Sequence, residues 1–269
     1  MVRTALAEPA APTRRVVDLK RLSLKYAPWV KNGLEITRWA FWSPETREPS
    51  EWRLHWSRSD ASSHDAKVPD RDVPAAQRRR MSALATLAVQ IATEAAGGVA
   101  ADFLVFGSQH GDVTSLRAML DDIAAGTELS PTVFSQSVHN ASAGLYTIIS
   151  RSSAPVCALS SGASTFAAAW LEAEGFLSEH AEASVLLASY DEALPPEYAS
   201  YSSQRVCAYA LGLLVRSAHT GGIELEPAPA EGDEPLPMAP LFIAWLLSGE
   251  RSLRITADGR GWIWRRTGA

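Results

Sequence analysis

Between residues 82 and 192 the sequence alternates helix-like patterns with short apolar runs, and this order limits the possible folds more than any other feature. The stretch 82–97 repeats its apolar residues at helical spacing and ends at glycine. The runs at 101–108 and 183–192 are typical of strands buried on both faces, and a later run at 205–218 predicts one more strand. Strands that alternate with crossover helices form a layered, mostly parallel or mixed sheet, so we predict an α/β fold.

Local signals mark the ends of further elements. Asp112 is a suitable N-cap for a helix that ends before Gly126, and Ser130, followed by proline, starts another helix. The segment 164–180 predicts a long helix whose first half is buried all round, because that half is almost entirely small or apolar. Near the end of the chain, Asp258-Gly259 predicts the turn of a closing hairpin.

The composition excludes several classes of function. The chain has 269 residues, 46% of them hydrophobic, which is enough for a sizeable core, and its formal net charge of −5 does not suit a partner such as nucleic acid. The two cysteines, Cys157 and Cys207, and the scattered histidines lack the spacing of a disulfide framework or a metal site. The GSQHGD stretch is neither a dinucleotide-binding motif nor a P-loop. We therefore expect no metal and no cofactor.

Two segments are expected to pack loosely. Residues 1–20 are rich in alanine, proline and charge and predict a flexible tail, which leaves residues 21–269 as one domain. Within that domain, a proline-rich acidic stretch near 226–240 predicts a loop. Residues 1–17 lack the apolar core of a signal peptide, and no later run approaches the ~18 apolar residues of a membrane span. We therefore expect a cytoplasmic protein with no membrane span.

Five motifs between Gln77 and Asp191 carry a resemblance to a known family. In chain order they are QRRRMSALATLAVQIATEA, a strand ending in FGSQHGD, TELSPTVFSQSVHNASAG, PVCALSSGASTFAAAW and SVLLASYDE. In this order and spacing the chain resembles the N-terminal half of the β-ketoacyl synthases, which belong to the thiolase superfamily. The segment SPTVFSQSVHNASAG is similar to the β-ketoacyl synthase-like chain length factors of aryl-polyene-type clusters. The resemblance implies a thiolase-like layered fold, present as a single half of the N-terminal type.

The resemblance also implies that the chain lacks a nucleophile. In catalytic ketosynthases the turn between a strand and a buried helix carries a cysteine, and the helix N-terminus stabilises its thiolate. Aligning Ser161 and Gly162 with the serine-glycine pair of that motif puts Leu159 at the nucleophile position. Catalytic members also take two histidines from a second half of the fold, and the roughly fifty residues after Ser217 are too few to form one. The implied role is a non-catalytic subunit.

As a chain length factor, the protein is expected to pair with a cysteine-containing β-ketoacyl synthase. Together they would make a polyketide or fatty-acid-type, aryl polyene-like product on an acyl-carrier protein, and this chain would help to set the product length. The small-residue segment 135–146 is expected to face the partner. The candidate tunnel or interface residues are Phe134, His139, Asn140 and Tyr146.

Further contacts are expected with both partners. Arg78, Arg79 and Arg80 are candidates for docking the acidic carrier protein, although a solvated first turn explains the run equally well. A half-length unit is expected to expose the apolar surface that the absent second half would cover. Pairing with the synthase is expected along the edge of the strand at 184–191 or its neighbour.

Two alternative functions remain open. The chain is an active acyltransferase or hydrolase if Cys157, Ser160 or Ser161 is a nucleophile and His139 its base, although GxSxG is absent. Strand alternation turns Cys157 to the same side as the nucleophile position but deeper, where a thiol is usually inert. His139 and His110 are also compatible with structural roles on loops that border one cleft. The other alternative is a scaffolding protein with a degenerate thiolase fold.

Overall fold

The computed structural model describes residues 33–44, 70, 72–202, 204, 208–232 and 234–268, so the expected tail at 1–20 lies outside the described residues. Within them, eight strands form one sheet: β1 Leu34–Trp42, β2 Phe103–Gly107, β3 Val156–Leu159, β4 Ser184–Asp191, β5 Tyr209–Ser217, β6 Gly222–Ala228, β7 Ser252–Ala257 and β8 Arg260–Thr267. In the same described residues, seven α-helices accompany the sheet: α1 Ala75–Arg78, α2 Ala83–Ala96, α3 Val113–Ala125, α4 Pro131–Gln136, α5 Ala141–Ser150, α6 Thr165–Glu179 and α7 Met238–Ser248. The α/β fold is confirmed.

The ends of these elements follow their local sequence signals. Ser82, Asp112 and Ser130 are the N-caps of α2, α3 and α4, and each side chain accepts a hydrogen bond from a backbone N–H of the first turn. Gly97 ends α2 in the left-handed conformation. The hairpin turn between β7 and β8 is Asp258-Gly259, with φ of +51° and +69°. The helix starts at Asp112 and Ser130, the glycine end of α2 and the turn at Asp258-Gly259 confirm the predictions made from the sequence, and the structure adds the cap at Ser82.

The sheet is mixed, with the strand order β3-β2-β4-β5-β1-β6-β8-β7. Strand β2 runs parallel to β3 and β4, and every other pairing among the described strands is antiparallel. Of the two predicted arrangements, the mixed sheet is confirmed and the mostly parallel one is wrong. The reason lies in the connections: no crossover helix lies in the described residues between β4 and β5, and β7 and β8 are joined by a hairpin.

Two helical layers cover the sheet. Helices α2 and α5 pack on one face and α6 and α7 on the other, and alternate residues of β5 point into the two cores. Close packing of α2 depends on Gly212 in β5, because a Cβ there would lie 2.7 Å from the carbonyl oxygen of Ile91. The strands and α6 together fix the turn at the carboxyl end of β3.

A C-terminal unit, defined here as β6, α7, β7 and β8, covers the outer face of α6. Phe166 and Trp170 of α6 pack against Phe242 of α7, with ring centroids 4.9 and 5.3 Å apart, and Trp264 of β8 lies 5.8 Å from Phe166. All four side chains are buried. The expectation that this chain exposes the surface left by an absent second half is therefore wrong for α6, because the chain's own C-terminal unit buries it.

The acidic, proline-rich loop is shorter than the predicted 226–240. Strand β6 continues to Ala228 and α7 already begins at Met238, so the loop is confined to the residues between them. Pro227 is accommodated in β6 because β1 pairs with β6 only at Ile223 among the described residues. Beyond Ile223 this edge of β6 has no pairing strand among the described residues, so the missing backbone N–H of Pro227 costs no hydrogen bond there.

Candidate functional site

The candidate site is the elbow, defined here as Leu159, the turn at 160–164 and the first turn of α6. Strand β3 brings Leu159 into contact with the apolar core, and its side chain is half-buried. A Cβ built on Gly107, at the end of β2, would lie 3.2 Å from Thr165 Cγ2 and 3.8 Å from Leu159 Cδ1. Position 159 therefore lies beside the first turn of α6, and a leucine there offers no atom that can be acylated.

Two histidine-bearing loops meet at the elbow. His139 Nε2 lies 2.9 Å from the carbonyl oxygen of Leu159, so this nitrogen carries the proton and donates it. A Cβ on Gly111 would lie 3.2 Å from His139 Nδ1, which places the loop of His110 against the same ring. The structure brings the two loops together, and the His139 ring bonds to the main chain of the elbow.

The two serines of the turn are also bonded to neighbouring groups. The Ser160 hydroxyl donates to the carbonyl oxygen of Gln109 at 2.9 Å, and the Ser161 N–H donates to Thr165 Oγ1 at 2.9 Å. Among the described contacts, no hydrogen bond joins either serine hydroxyl to a histidine ring. A serine nucleophile needs such a bond to its base, and the elbow in this form does not supply it.

Cys157 lies two residues before Leu159 on β3 and packs against the same core. The thiol is half-buried. Burial raises its pKa, and the negative charge and hydrogen bond of Glu172 raise it further. Because the thiolate is the reactive form, this environment makes Cys157 a weak nucleophile at neutral pH.

A buried carboxylate, Asp191, holds the GSQHGD loop against the end of β4. Its oxygens accept hydrogen bonds from Ser108 Oγ at 2.8 Å, from Tyr209 OH at 2.9 Å, and from the N–H groups of His110 and Gln109 at 3.1 and 3.2 Å. Burial raises the pKa of Asp191, and the hydrogen bonds from His110 and Ser108 act in the opposite direction. The sequence offered one signal for this residue, an acid at the end of a fully buried strand.

The closing hairpin reaches the elbow from the C-terminal unit. Asp258 Oδ2 accepts a hydrogen bond of 2.7 Å from the Ala163 N–H, and the Trp262 indole N–H donates to Ser164 Oγ at 3.1 Å. This contact could not be predicted from the sequence, because no local pattern links residues that lie more than ninety positions apart.

The candidate interface residues fall into two groups. Phe134 on α4 is 63% exposed, whereas Tyr146 on α5 is only 5% exposed and packs against Phe106 in the chain's own core. The proposal that Tyr146 faces another chain is therefore corrected. Asn140 is the residue before α5, and its side chain makes no capping hydrogen bond.

The three candidate docking arginines differ in their surroundings. Arg78 donates to Asp70 at 2.7 Å, forming an ion pair at the surface. Arg79 and Arg80 are exposed. Only the latter two present charge that is not already paired with Asp70.

Exposed apolar side chains lie on the helices that follow β2. Leu116, Leu120 and Ile123 form a stripe along α3 and are 48, 48 and 58% exposed, and within α3 only Met119 is buried. We define the partner surface as this stripe together with Phe134, Val138 and the free edge of β3. Strand β4, predicted to offer a pairing edge, is enclosed between β2 and β5, so this expectation is wrong for 184–191. Among the described strands, β3 pairs with β2 alone and ends the sheet on that side.

The described residues lack two further kinds of feature. They contain no helix that is both long and apolar enough to cross a membrane. They also contain no cluster of three or more histidine, cysteine, aspartate or glutamate side chains placed to hold a metal ion.

With the elbow and its surroundings in place, the fold corresponds to the thiolase-like fold of the ketosynthases. A chain from the structure of the Xenorhabdus doucetiae ketosynthase ApeO in complex with its chain length factor ApeC is similar at 27% identity over 88% of this chain and 100% of that chain, with a TM-score of 0.74. Residues 52–265 match the model of the family described as beta-ketoacyl synthase, N-terminal domain. The protein belongs to this family.

More distant structures share the fold. The ishigamide ketosynthase/chain length factor matches at 16% identity over 74% of this chain and 68% of that chain, with a TM-score of 0.55. A chain from the AntDE:AntF complex of a type II acyl-carrier protein with its ketosynthase matches at 12% identity over 88% of this chain and 99% of that chain, with a TM-score of 0.60. No curated protein matches the sequence.

Proposed function

We propose that this protein is the non-catalytic, chain-length-factor-like subunit of a ketosynthase pair. Its partner would be a cysteine-containing β-ketoacyl synthase, and the pair would build a polyketide or fatty-acid-type, aryl polyene-like chain on an acyl-carrier protein in the cytoplasm. The observation that carries the proposal is Leu159 at the elbow of a ketosynthase fold, with its main chain bonded to His139. The 27% identity to a chain of a ketosynthase–chain length factor complex supports it.

The contacts of the elbow support a non-catalytic role. Leu159 has no nucleophilic atom, the pKa of the Cys157 thiol is raised, and the Ser160 hydroxyl donates to a main-chain carbonyl. An acyl transfer needs a nucleophile activated by a base, and the elbow presents neither in a working arrangement. An acyltransferase or hydrolase therefore has less support here than a partner subunit.

The partner surface supports assembly with another chain. A stripe of three leucine and isoleucine side chains on α3 lies exposed, and Phe134 and Val138 extend the apolar area. Apolar patches of this kind mark interaction sites, and β3 offers in addition a sheet edge with unpaired backbone groups among the described strands. We assign this surface to the ketosynthase subunit, because a chain with this fold and 27% identity comes from a ketosynthase–chain length factor complex.

Co-purification tests the pairing. The chain, tagged and co-expressed with a cysteine-containing β-ketoacyl synthase from the native host, is expected to elute as a stable heterodimer burying more than about 2,000 Å². Leu120→Glu on α3 is expected to weaken the complex, whereas Leu247→Glu, an exposed apolar position on α7, serves as the matched control and is expected to leave it intact. A monodisperse, folded monomer that does not bind the synthase would contradict the proposal.

Labelling tests the absence of catalysis. The heterodimer is treated with an acyl-thioester or with iodoacetamide, and the modified residues are located by mass spectrometry. The acyl-thioester is expected to acylate the synthase subunit alone, and neither reagent is expected to modify Cys157, Ser160 or Ser161. An acyl group on Cys157, Ser160 or Ser161 of this chain would support the acyltransferase or hydrolase alternative instead.

A further inference from the structure

The contact between the closing hairpin and the elbow joins two segments that are distant in sequence. Asp258 lies in the hairpin turn of the C-terminal unit, and its carboxylate accepts the N–H of Ala163 at 2.7 Å. The Trp262 indole N–H donates to Ser164 Oγ at 3.1 Å, which fixes the same hairpin to the N-cap of α6. The turn into α6 is therefore held from outside by a negatively charged group.

Gly162 shows how closely the carboxylate approaches the turn. This glycine has a φ of +55°, and a Cβ built on it would lie 2.6 Å from Asp258 Oδ2. The Asp258 side chain therefore occupies the space directly outside the turn between Leu159 and α6. The positive φ favours glycine at this position, and any larger residue would also have to displace the Asp258 carboxylate.

The position matters because the start of a helix favours negative charge. The N–H groups and the dipole of a helix N-terminus stabilise a thiolate or an oxyanion close to them. At this elbow the chain itself supplies an anion, Asp258, which takes one N–H of the turn. A second anion at position 159 is expected to meet like-charge repulsion, partly screened by solvent because Asp258 is exposed, instead of an unoccupied positive end.

We propose that Asp258 is a positioning residue that locks the elbow turn and keeps it closed to anionic groups. The C-terminal unit thus acts on the site as well as on the core, because its hairpin carries the charge that opposes a thiolate. The inference rests on the proposed function only in taking residue 159 as the nucleophile position. It implies that two residues prevent nucleophilic chemistry at the elbow: Leu159 has no nucleophilic atom, and the charge of Asp258 opposes a thiolate.

The test introduces a thiol at the elbow with and without the opposing charge. Leu159→Cys is made in a Cys157→Ser background, and then combined with Asp258→Asn or Asp258→Gly. Both second substitutions are compatible with the positive φ of the hairpin turn, and both remove the charge. Alkylation of residue 159 by iodoacetamide is followed by mass spectrometry from pH 6 to 10 at low ionic strength, and thermal unfolding checks that each variant is folded.

Removing the charge is expected to raise the alkylation rate at pH 7 at least about threefold, which corresponds to a fall of half a unit in the pKa of the introduced thiol. The matched control is Glu250→Gln, which removes a carboxylate from the same unit at the other end of β7 and is expected to change nothing. An equal alkylation rate with and without the Asp258 charge would overturn the proposed role of Asp258 and would leave the elbow assignment unaffected. A thiol that stays unreactive in every background would overturn both this inference and the elbow assignment, while co-purification with the synthase tests the pairing independently.

Discussion

The indole N–H of Trp170 donates a hydrogen bond of 2.8 Å to the carboxylate of Glu174, one helical turn further along α6. Both side chains are buried beneath the C-terminal unit. Burial raises the pKa of Glu174 to about 7, the carboxylate of Glu224 acts in the same direction, and the hydrogen bonds from Trp170 and the backbone at Leu225 oppose the rise. The contact of α6 with the C-terminal unit thus includes a carboxyl group that titrates near neutral pH.

This carboxyl group predicts a pH dependence of stability. The pKa of Glu174 is higher in the folded state than in the unfolded state, so the folded state binds more protons. The protonated group therefore contributes stability that is fully present below pH 4.5 and is lost as the pH rises through about 7. The full loss is on the order of 3 kcal/mol. Glu174→Gln, which keeps an acceptor for Trp170, is expected to flatten the decline in free energy of unfolding measured by urea titration between pH 5 and pH 8. Glu179→Gln on the same helix is the control, and an unchanged decline in Glu174→Gln would contradict the prediction.

The close approach of β5 and α2 at Gly212 predicts how much stability is lost when a side chain is added there. A Cβ there would lie 2.7 Å from both Ile91 O and Ala95 Cβ, so Gly212→Ala is expected to destabilise the protein by about 1–3 kcal/mol. Gly175→Ala is the matched control, because Gly175 lies within α6 and a Cβ there meets nothing within 4 Å. That substitution is expected to stabilise the helix by roughly 0.5–1 kcal/mol. Urea unfolding of both variants measures the difference, and equal stabilities would refute the packing argument.

Cys157→Ser tests whether the free thiol takes part in chemistry. The raised pKa keeps this thiol protonated at neutral pH, so the variant paired with its synthase is expected to form product at nearly the rate of the unsubstituted pair. The rate of product formation and the yield of complex are measured together. Loss of acyl transfer in a folded, correctly assembled variant would support the acyltransferase alternative instead.

Local patterns predicted the elements, whereas contacts between distant segments could not be predicted. The caps at Asp112 and Ser130 each bond to a backbone N–H three positions away, so the local sequence was enough to predict them. The layer formed by Phe166 and Phe242 depends on how far the C-terminal unit continues the sheet beyond β1, and no periodicity encodes that continuation.

The candidate site likewise combines a position that the sequence predicts with contacts that it does not predict. Leu159 could be located by aligning a short turn motif, and the structure adds its contact with His139. The Asp191 cluster draws its donors from two other segments, and the Asp258 contact spans 95 residues. Such polar contacts are set by tertiary packing, since any buried carboxylate must find donors wherever the fold brings them.

The last prediction concerns product length and separates Phe134 from Tyr146. Phe134 is exposed at the partner surface, so Phe134→Ala is expected to leave the stability of this chain nearly unchanged and, if its ring ends the tunnel of the synthase, to shift the products toward longer chains. Tyr146 lies in the core with its ring centroid 5.6 Å from that of Phe106, so Tyr146→Ala is expected to cost ~3–5 kcal/mol and to lower the yield of complex without changing length. Product distribution, complex yield and free energy of unfolding are measured for each variant. An unchanged product length in a stable, assembled Phe134→Ala pair would remove Phe134 from the proposed length control.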